Sequence, residues 1–316
     1  MKSIKVFCVG VLLIGSFVTN ILYGKSAGLS SFDFLKFNYG ARAAAMGGAY
    51  CNMENDSFSI YYNPALLLSI KKIDTSFAHT EYVENIRNES LNSVININKV
   101  GAIGIGLSYL YANDFIKTIR SDTPEGFSEV GNFGFYDLII IAGGAYQISK
   151  NITGGLNIKY LSEKIDVEKG ETIAFDVGIK SVKKFFNLIS IAGSVRNLGG
   201  YVKFIDKKES LPLIITGGIS SSFSPFKLNR DRDDIIIAMD IVDEVNYGFK
   251  IKSGVEFNLF NLIRIRGGYI FDFNNNYLYN FTAGLGVNYK RFEIGYAFLP
   301  FDIMGNTHRF SINVKF

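Results

Sequence analysis

The chain has 316 residues, of which 48% are apolar and 20% are charged. Its formal net charge is +4, and loss of Lys2 and Lys5 with a predicted leader peptide lowers it to +2, so no strong charge signal for nucleic-acid binding exists. Cys51 is the one cysteine outside that leader, which excludes an internal disulfide and a cysteine metal site.

The sequence of residues 1–24 indicates a secretory signal peptide that is cleaved from the chain. Lys2 and Lys5 form a charged start, residues 6–18 form an apolar run, and the small-residue stretch 24–27 follows. The apolar run is shorter than the roughly 20 residues that a transmembrane helix needs. We therefore expect the chain to be exported, with cleavage near Gly24.

Residues 25–72 lack the two-residue periodicity that fills the rest of the chain, and they carry two motifs. The motifs GARAAAMGGA and NPALL contribute Gly40, Arg42, Met46, Gly47, Gly48, Ala49, Asn63, Pro64, Ala65 and Leu67. Small residues suit a compact segment inside a lumen, and Pro64 stiffens the chain next to Asn63. A buried Arg42 would need a carboxylate, and the inward-facing candidates are Asp176, Asp240, Glu256, Asp272 and Glu293.

From residue 73 onward, apolar and polar side chains alternate, which predicts half-buried antiparallel strands. The predicted strands are 73–80, 90–97, 101–112, 135–148, 152–165, 171–182, 188–197, 211–222, 234–242, 247–257, 262–272, 277–289, 291–299 and 307–316. Several are long enough to cross a bilayer when tilted. The sequence therefore predicts an all-β fold, a transmembrane antiparallel β-barrel of about 14 strands over residues 73–316.

The links between the predicted strands differ in length. Links after even-numbered strands are mostly short, although 223–233 is long; links after odd-numbered strands include the long stretches 113–134, 198–210 and 300–306. Bacterial barrels have short periplasmic turns and longer external loops. We therefore expect 113–134 to be the main external loop.

The last predicted strand alternates strictly. One face carries Phe310, Ile312, Val314 and Phe316, and the other carries polar side chains. The strand resembles the closing strand of a bacterial outer-membrane barrel. That resemblance implies that these four residues form the signal read by the barrel-assembly machinery.

The two N-terminal motifs, with an acidic-polar stretch around Asp56 between them, resemble the FadL/TodX family of outer-membrane hydrophobe channels and the related PorV proteins. The resemblance implies a barrel plugged by an N-terminal hatch, residues 25–72, in which the motif residues serve hatch and gating roles. It also implies that ligand moves the hatch and that substrate leaves sideways through the wall. A plug without a gating role is the alternative, because PorV-like relatives keep the plug but act in secretion.

The leading functional hypothesis is passive uptake of hydrophobic, long-chain fatty-acid-like molecules across the outer membrane. The candidate ligand contacts are Phe115, Ile116, Phe127, Tyr201, Phe204, Arg264 and Arg266. Two alternatives stay open: a PorV-like protein that binds partners in secretion or surface attachment, and a surface protein without transport. Expected partners are outer-membrane lipid, the assembly machinery, and either a hydrophobic small molecule or a secretion-system component.

No pattern in the chain predicts catalysis, a metal site or a cofactor. His79 and His308 are the only histidines. Alternation places His308 on the outward face and Ser311 on the inward face, so the two do not form a catalytic pair. We therefore expect no enzyme activity.

Overall fold

The computed structural model describes residues 32–97, 100–124, 126–186, 188–204, 207–226, 234–273, 280–300 and 305–316, with only the backbone for Lys203, Phe204 and Lys207. The predicted signal peptide and residues 25–31 of the predicted hatch lie outside these ranges. Within them, no helix is both long enough and apolar enough to cross a membrane.

Beyond residue 72, the described residues form sixteen strands, and fourteen of these close into an antiparallel barrel, as the sequence predicts. The strands are β1 (Ile73–Glu81), β2 (Arg87–Asn96), β3 (Ala102–Arg120), β4 (Phe127–Ser149), β5 (Ile152–Ile165), β6 (Glu168–Ser181), β7 (Ile189–Gly199), β8 (Tyr201–Phe204), β9 (Lys207–Ser210), β10 (Ile214–Phe223), β11 (Ile235–Glu244), β12 (Gly248–Leu259), β13 (Ile263–Asp272), β14 (Phe281–Tyr289), β15 (Phe292–Pro300) and β16 (Asn306–Lys315). Neighbours in sequence pair in space, and β1 pairs with β16 to close the wall. β8 and β9 form a separate two-stranded sheet, so β7 pairs with β10.

Alternating side chains give the barrel two different surfaces. In β16, Thr307, Arg309 and Ser311 are buried inside, whereas Phe310 and Ile312 are about half exposed on the outside. Each barrel strand carries at least one exposed large apolar side chain of this kind. A closed wall leaves no unpaired backbone edge, and its apolar exterior matches lipid. The fold is therefore a transmembrane barrel.

Two external features differ from the prediction. β3 and β4 run well past the expected ends, so most of the predicted loop 113–134 is an antiparallel ribbon in which Phe115 faces Phe133. β4 pairs with β5 only from Phe135 onward, so this ribbon projects beyond the wall. The predicted loop 198–210 likewise contains β8 and β9. Both faces of a projecting ribbon meet solvent, and its sequence therefore lacks the burial alternation that marks a wall strand.

Residues 32–72, which we call the inner segment, fold into four short helices. They are α1 (Ala41–Ala45) and the 3-10 helices Asp33–Lys36, Ser57–Tyr61 and Pro64–Ser69. Asp56 and Asn63 cap the last two, because their side-chain oxygens accept the backbone N–H groups of Phe58 and Ala65. Every residue from 38 to 53 is buried. The core of the protein therefore lies inside the barrel.

Candidate functional site in the barrel lumen

The inner segment crosses the lumen from one end of the barrel to the other. At the ribbon end, the Phe32 N–H donates to Glu163 Oε2 at 3.0 Å and the Tyr247 hydroxyl donates to Asp33 Oδ1 at 3.0 Å. At the opposite end, Asn96 Nδ2 donates to the Ile70 carbonyl at 2.6 Å. Because short turns face the periplasm in bacterial barrels, we assign the ribbon end to the outside and the Ile70 end to the periplasm.

Glycines in the wall make room for the first motif. A Cβ atom added to Gly268 would lie 2.1 Å from the Gly47 nitrogen, and one added to Gly284 would lie 2.5 Å from Ala45 Cβ. Gly47 has φ +65, a conformation that suits glycine. Thr282 Oγ1 completes the contact, since it accepts the Gly47 N–H at 3.0 Å and donates to the Ala45 carbonyl at 2.9 Å. The motif is therefore shaped to the inner face of β13 and β14.

The remaining first-motif residues are also buried. Met46 and Ala49 have no exposed surface, and a Cβ added to Gly254 would lie 2.8 Å from Met46 Cβ. Gly40 and Gly48 have φ +81 and +75, and each lies against an inner-segment side chain, Phe58 and Asn38 respectively. The motif is thus held both by the wall and by its own segment.

Arg42 pairs with Glu256, one of the five carboxylates proposed from the sequence. Its Nε and NH2 donate to the two Glu256 oxygens at 2.8 and 3.0 Å. Arg266 donates to Glu256 Oε2 at 2.7 Å and to Glu293 Oε1 at 2.7 Å, and Arg264 NH1 donates to Glu293 Oε1 at 2.6 Å. Three guanidinium groups and two carboxylates therefore form one buried network across β12, β13 and β15.

A second anchor lies at Tyr50 and Cys51. Their backbone N–H groups donate to Asp240 Oδ2 at 2.7 and 2.8 Å. The Cys51 side chain is 1% exposed. Burial, with the nearby Asp240 carboxylate adding to it, raises the pKa of the Cys51 thiol to about 12. Cys51 is therefore an unreactive thiol at neutral pH.

The second motif binds the segment to β5 and β6. Asn63 Nδ2 donates to the Cys51 carbonyl at 2.9 Å and to the Ile179 carbonyl of β6 at 3.3 Å. A Cβ added to Gly178 would lie 2.9 Å from the Pro64 ring, and one added to Gly155 would lie 2.4 Å from the Ala65 nitrogen. Leu67 is fully buried beside Gly104 and Gly143. Asn63 thus links two parts of the inner segment to the wall.

The inner segment also bridges the seam where β1 meets β16. Ser57 Oγ donates to Asp74 Oδ1 of β1 at 3.1 Å, and Asn313 Nδ2 of β16 donates to Asp56 Oδ1 at 3.3 Å. Asp56 also accepts a hydrogen bond from the Tyr50 hydroxyl. Contacts with first and last strands therefore converge on two adjacent residues of the inner segment.

The structure separates the predicted ligand contacts into two groups. Phe115, Ile116 and Phe127 lie on the ribbon, Tyr201 is 73% exposed on β8, and Phe204 contributes only described backbone there. Arg264 and Arg266 lie in the buried ion network toward the periplasmic end. The external aromatic residues and these arginines therefore do not form one site.

Sequence reasoning missed a cluster of tyrosines beneath the ribbon end. The Tyr39 and Tyr61 rings stack with centroids 4.2 Å apart, and Tyr62 lies near the Arg196 guanidinium, 5.7 Å from ring centre to Cζ. Arg196 also donates to the Tyr61 carbonyl at 2.9 Å. The only sequence signal was the Tyr61–Tyr62 pair before the second motif, and it carries no information about which strands it meets.

An open cavity of about 840 Å³ lies at the periplasmic end, and we call it the vestibule. Residues of both the inner segment and the wall line it, including Asn52, Lys71, Lys72, Ser220, Asn258, Arg264, Asn288 and Lys315. Among its described lining residues, seven carry Lys or Arg side chains and three carry Asp or Glu. The vestibule is therefore polar and predominantly basic.

The predicted closing-strand residues lie on the lipid-facing side, where Phe310, Ile312 and Phe316 are about half exposed. His308 also faces outward, with Nδ1 2.8 Å from the Tyr296 hydroxyl, whereas Ser311 is buried inside. Over the described part of the chain, no group of three or more His, Cys, Asp or Glu side chains could hold a metal ion.

Comparison with known proteins identifies the class of fold. No family model and no curated protein sequence matches the chain. Solved structures do match. The Pseudomonas putida toluene transporter TodX is 13% identical, with a TM-score of 0.59, and the match covers 87% of this chain and 96% of TodX. The Ralstonia pickettii toluene transporter TbuX is 12% identical, with a TM-score of 0.60, and the match covers 88% of this chain and 98% of TbuX. A Pseudomonas aeruginosa FadL homologue is 8% identical, with a TM-score of 0.53, and the match covers 87% of this chain and 97% of the homologue. The chain therefore has the fold of FadL/TodX-type hydrophobe transporters.

Proposed function

We propose that this protein is an outer-membrane channel for passive uptake of hydrophobic small molecules, with the inner segment as its hatch. The observation that carries the proposal is a lumen filled by the chain's own N-terminal segment, in a fold shared with two toluene transporters. The exported location follows from the predicted signal peptide and the apolar exterior of the barrel. We also propose that Phe310, Ile312, Val314 and Phe316 of the closing strand form the signal that the barrel-assembly machinery reads.

The vestibule supports sideways exit rather than passage straight through the lumen. An apolar molecule moving toward the periplasm would have to enter a cavity lined mostly by charged and amide side chains. It would desolvate those groups without replacing their hydrogen bonds, which is costly. Lipid outside the wall offers the same molecule a favourable environment. We therefore place the exit through the wall.

Opening requires the hatch to release polar anchors. The strongest are the Arg42–Glu256 pair, the two N–H groups on Asp240, and the Asn63 contact with β6. Hydrogen bonds to charged groups contribute about 1.5–3 kcal/mol each and neutral ones about 1 kcal/mol, so a ligand must favour the open state by several kcal/mol to release these anchors together. The motif residues Gly40 to Ala49 and Asn63 to Leu67 are the proposed gating residues.

The ligand class proposed is a long-chain fatty-acid-like hydrophobe, first met by Phe115, Ile116 and Phe127 on the ribbon and by Tyr201 and Phe204 on β8. Arg264 and Arg266 are already paired with Glu256 and Glu293. A ligand carboxylate would have to compete with those carboxylates. The aliphatic or aromatic body of the ligand is therefore the part that we expect to dominate its recognition.

Mass spectrometry of hydrophobic molecules released from the protein purified in mild detergent tests the proposal. We expect a specific hydrophobe in the wild type, and a changed amount in an Asn63→Ala/Pro64→Ala variant whose second-motif anchor is removed. Uptake of the same hydrophobe by cells or vesicles should depend on the protein. Equal hydrophobe content in both proteins, together with protein-independent uptake, would refute the channel.

A second candidate function is that of a PorV-like outer-membrane protein that binds partners in secretion or surface attachment. The projecting ribbon favours it, because Ile116, Ile119, Phe127 and Val130 are each about half exposed there. Such side chains are common in protein interfaces. Cross-linking from the ribbon in cells distinguishes the two functions: specific capture of secretion components supports the second, and capture of none supports the channel.

A further inference from the structure

We propose that the vestibule binds a small multivalent anion, a molecule bearing several carboxylate or phosphate groups, and that this anion joins the inner segment to the barrel wall. Its volume of about 840 Å³ lies in the range of small-molecule sites. The inference does not depend on what the channel transports, since the vestibule faces the periplasm whether or not the hatch opens.

The charge distribution favours an anion. The lining carries seven cationic side chains, Arg42, Lys71, Lys72, Lys184, Arg264, Lys290 and Lys315, against Glu54, Asp74 and Glu256. Arg42, Arg264 and Lys315 already pair with Glu256 or Glu293, so the excess positive charge comes mainly from Lys71, Lys72, Lys184 and Lys290. A single exposed lysine binds an anion weakly. Several cations around one concave space reinforce one another, because low-dielectric walls concentrate their field. The vestibule has this arrangement.

Within the described ranges, two residues that line the vestibule have unpartnered donors buried in the wall. Arg264 is 4% exposed; its NH1 donates to Glu293, but its Nε has no hydrogen-bond partner among the described residues. Asn288 Nδ2 on the adjacent strand β14 also has no partner in the described part of the chain. Both residues line the vestibule. A buried N–H group is costly to leave unpaired, and an anionic oxygen is the strongest acceptor for it.

The cationic groups come from both the inner segment and the barrel wall, the two parts that the anion would join. Arg42, Lys71 and Lys72 belong to the inner segment, whereas Arg264 and Lys290 belong to the wall. An anion held by both would have to leave, or keep only half its contacts, when the segment moves. Bound anion therefore stabilises the closed state of the hatch by mass action.

Isothermal titration of the purified full-length protein with citrate and with inorganic phosphate, at constant ionic strength, tests the site. We expect citrate to bind the wild type more tightly than phosphate, because it carries more carboxylates. Lys71→Gln/Lys72→Gln and Arg264→Lys should each weaken binding by about fivefold or more. Arg264→Lys keeps a charge beside Glu293 and removes the unpaired Nε–H group. Lys150→Gln, which changes an exposed lysine in the β4–β5 turn that does not line the vestibule, is the matched control.

Absence of citrate binding up to about 10 mM, or equal binding by all four proteins, overturns the site. Should Arg264→Lys fail to fold, the double lysine variant carries the test, because Lys71 and Lys72 are exposed. An acidic peptide that binds with the expected variant pattern, when citrate and phosphate do not, would replace the small anion with a protein partner. None of these outcomes depends on hydrophobe uptake, so failure of this site and failure of the channel are separable.

Discussion

Cys51 reports on the state of the inner segment. It lies in the lumen, beside Asn63 and Asp240, and is protected from solvent. We expect a maleimide reagent at neutral pH to modify it at least about 100-fold more slowly in the folded protein than in urea-unfolded protein, because the thiol is buried and its pKa is raised. Mass spectrometry measures the rate. Equal rates in the two states would show that the segment is not held in the lumen.

The same thiol makes stability depend on alkaline pH. Its pKa is about 12 in the folded protein against an ordinary value of 9.0, so the folded state holds the proton more tightly. The stabilisation is complete below pH 9 and is lost as pH rises toward 12, at about 1.4 kcal/mol per pH unit. Other buried groups also titrate in this range, so the thiol is isolated by the difference between two proteins: from pH 8 to pH 10 the wild type should lose more stability in urea unfolding than Cys51→Ala. Equal changes in the two proteins would assign the pH dependence to other groups.

The ion network around Glu256 makes an asymmetric prediction. Glu256 serves both Arg42 and Arg266, whereas loss of Arg42 leaves Glu256 paired with Arg266. Glu256→Gln should therefore destabilise the protein more than Arg42→Ala does, with the loss of a buried partner costing about 3–5 kcal/mol. Both should speed Cys51 modification. Arg87→Ala, an exposed residue at the start of β2, is the control. The reverse order of the two effects would contradict the network.

At the scale of elements, the inward glycines decide whether the inner segment can dock. Gly268→Ala places a Cβ 2.1 Å from the Gly47 nitrogen, whereas Gly217→Ala, on the outer face of β10, meets nothing within 4 Å. Since neither change touches a ladder hydrogen bond, we expect both barrels to form. Cys51 modification should be faster in Gly268→Ala alone. Unchanged modification there would show that the backbone shifts to absorb the methyl group.

Strand positions could be predicted from sequence far better than lumen contacts. Alternation located β5 at 152–165, the same bounds as in the structure, because each wall strand has one face in lipid and the other inside. The Arg42 partner could be narrowed to five carboxylates but not to Glu256, since that choice depends on where α1 docks across the lumen. The ribbon was missed because no buried face marks it.

At the scale of the whole molecule, exposed apolar residues fall into two environments. Ile312 near the middle of β16 and Ile119 on the ribbon are 45% and 51% exposed. Ile312→Arg should destabilise the protein in vesicles by about 2–4 kcal/mol, because it places a charge in lipid, and Ile119→Arg should have little effect. The temperature at which an unboiled sample loses its compact gel mobility measures both. Equal effects of the two substitutions would indicate that the ribbon at Ile119 also lies in the membrane.

Contacts at the seam between β1 and β16 constrain the order in which the protein can assemble. Asp56 and Ser57 bond to the last and the first strand at the line where the cylinder closes. The inner segment therefore has to be in place before β1 and β16 pair, or be inserted afterwards through an end narrowed by side chains. Closure of the wall around the inner segment needs no such insertion. On that route, the inner segment positions β1 and β16 for pairing.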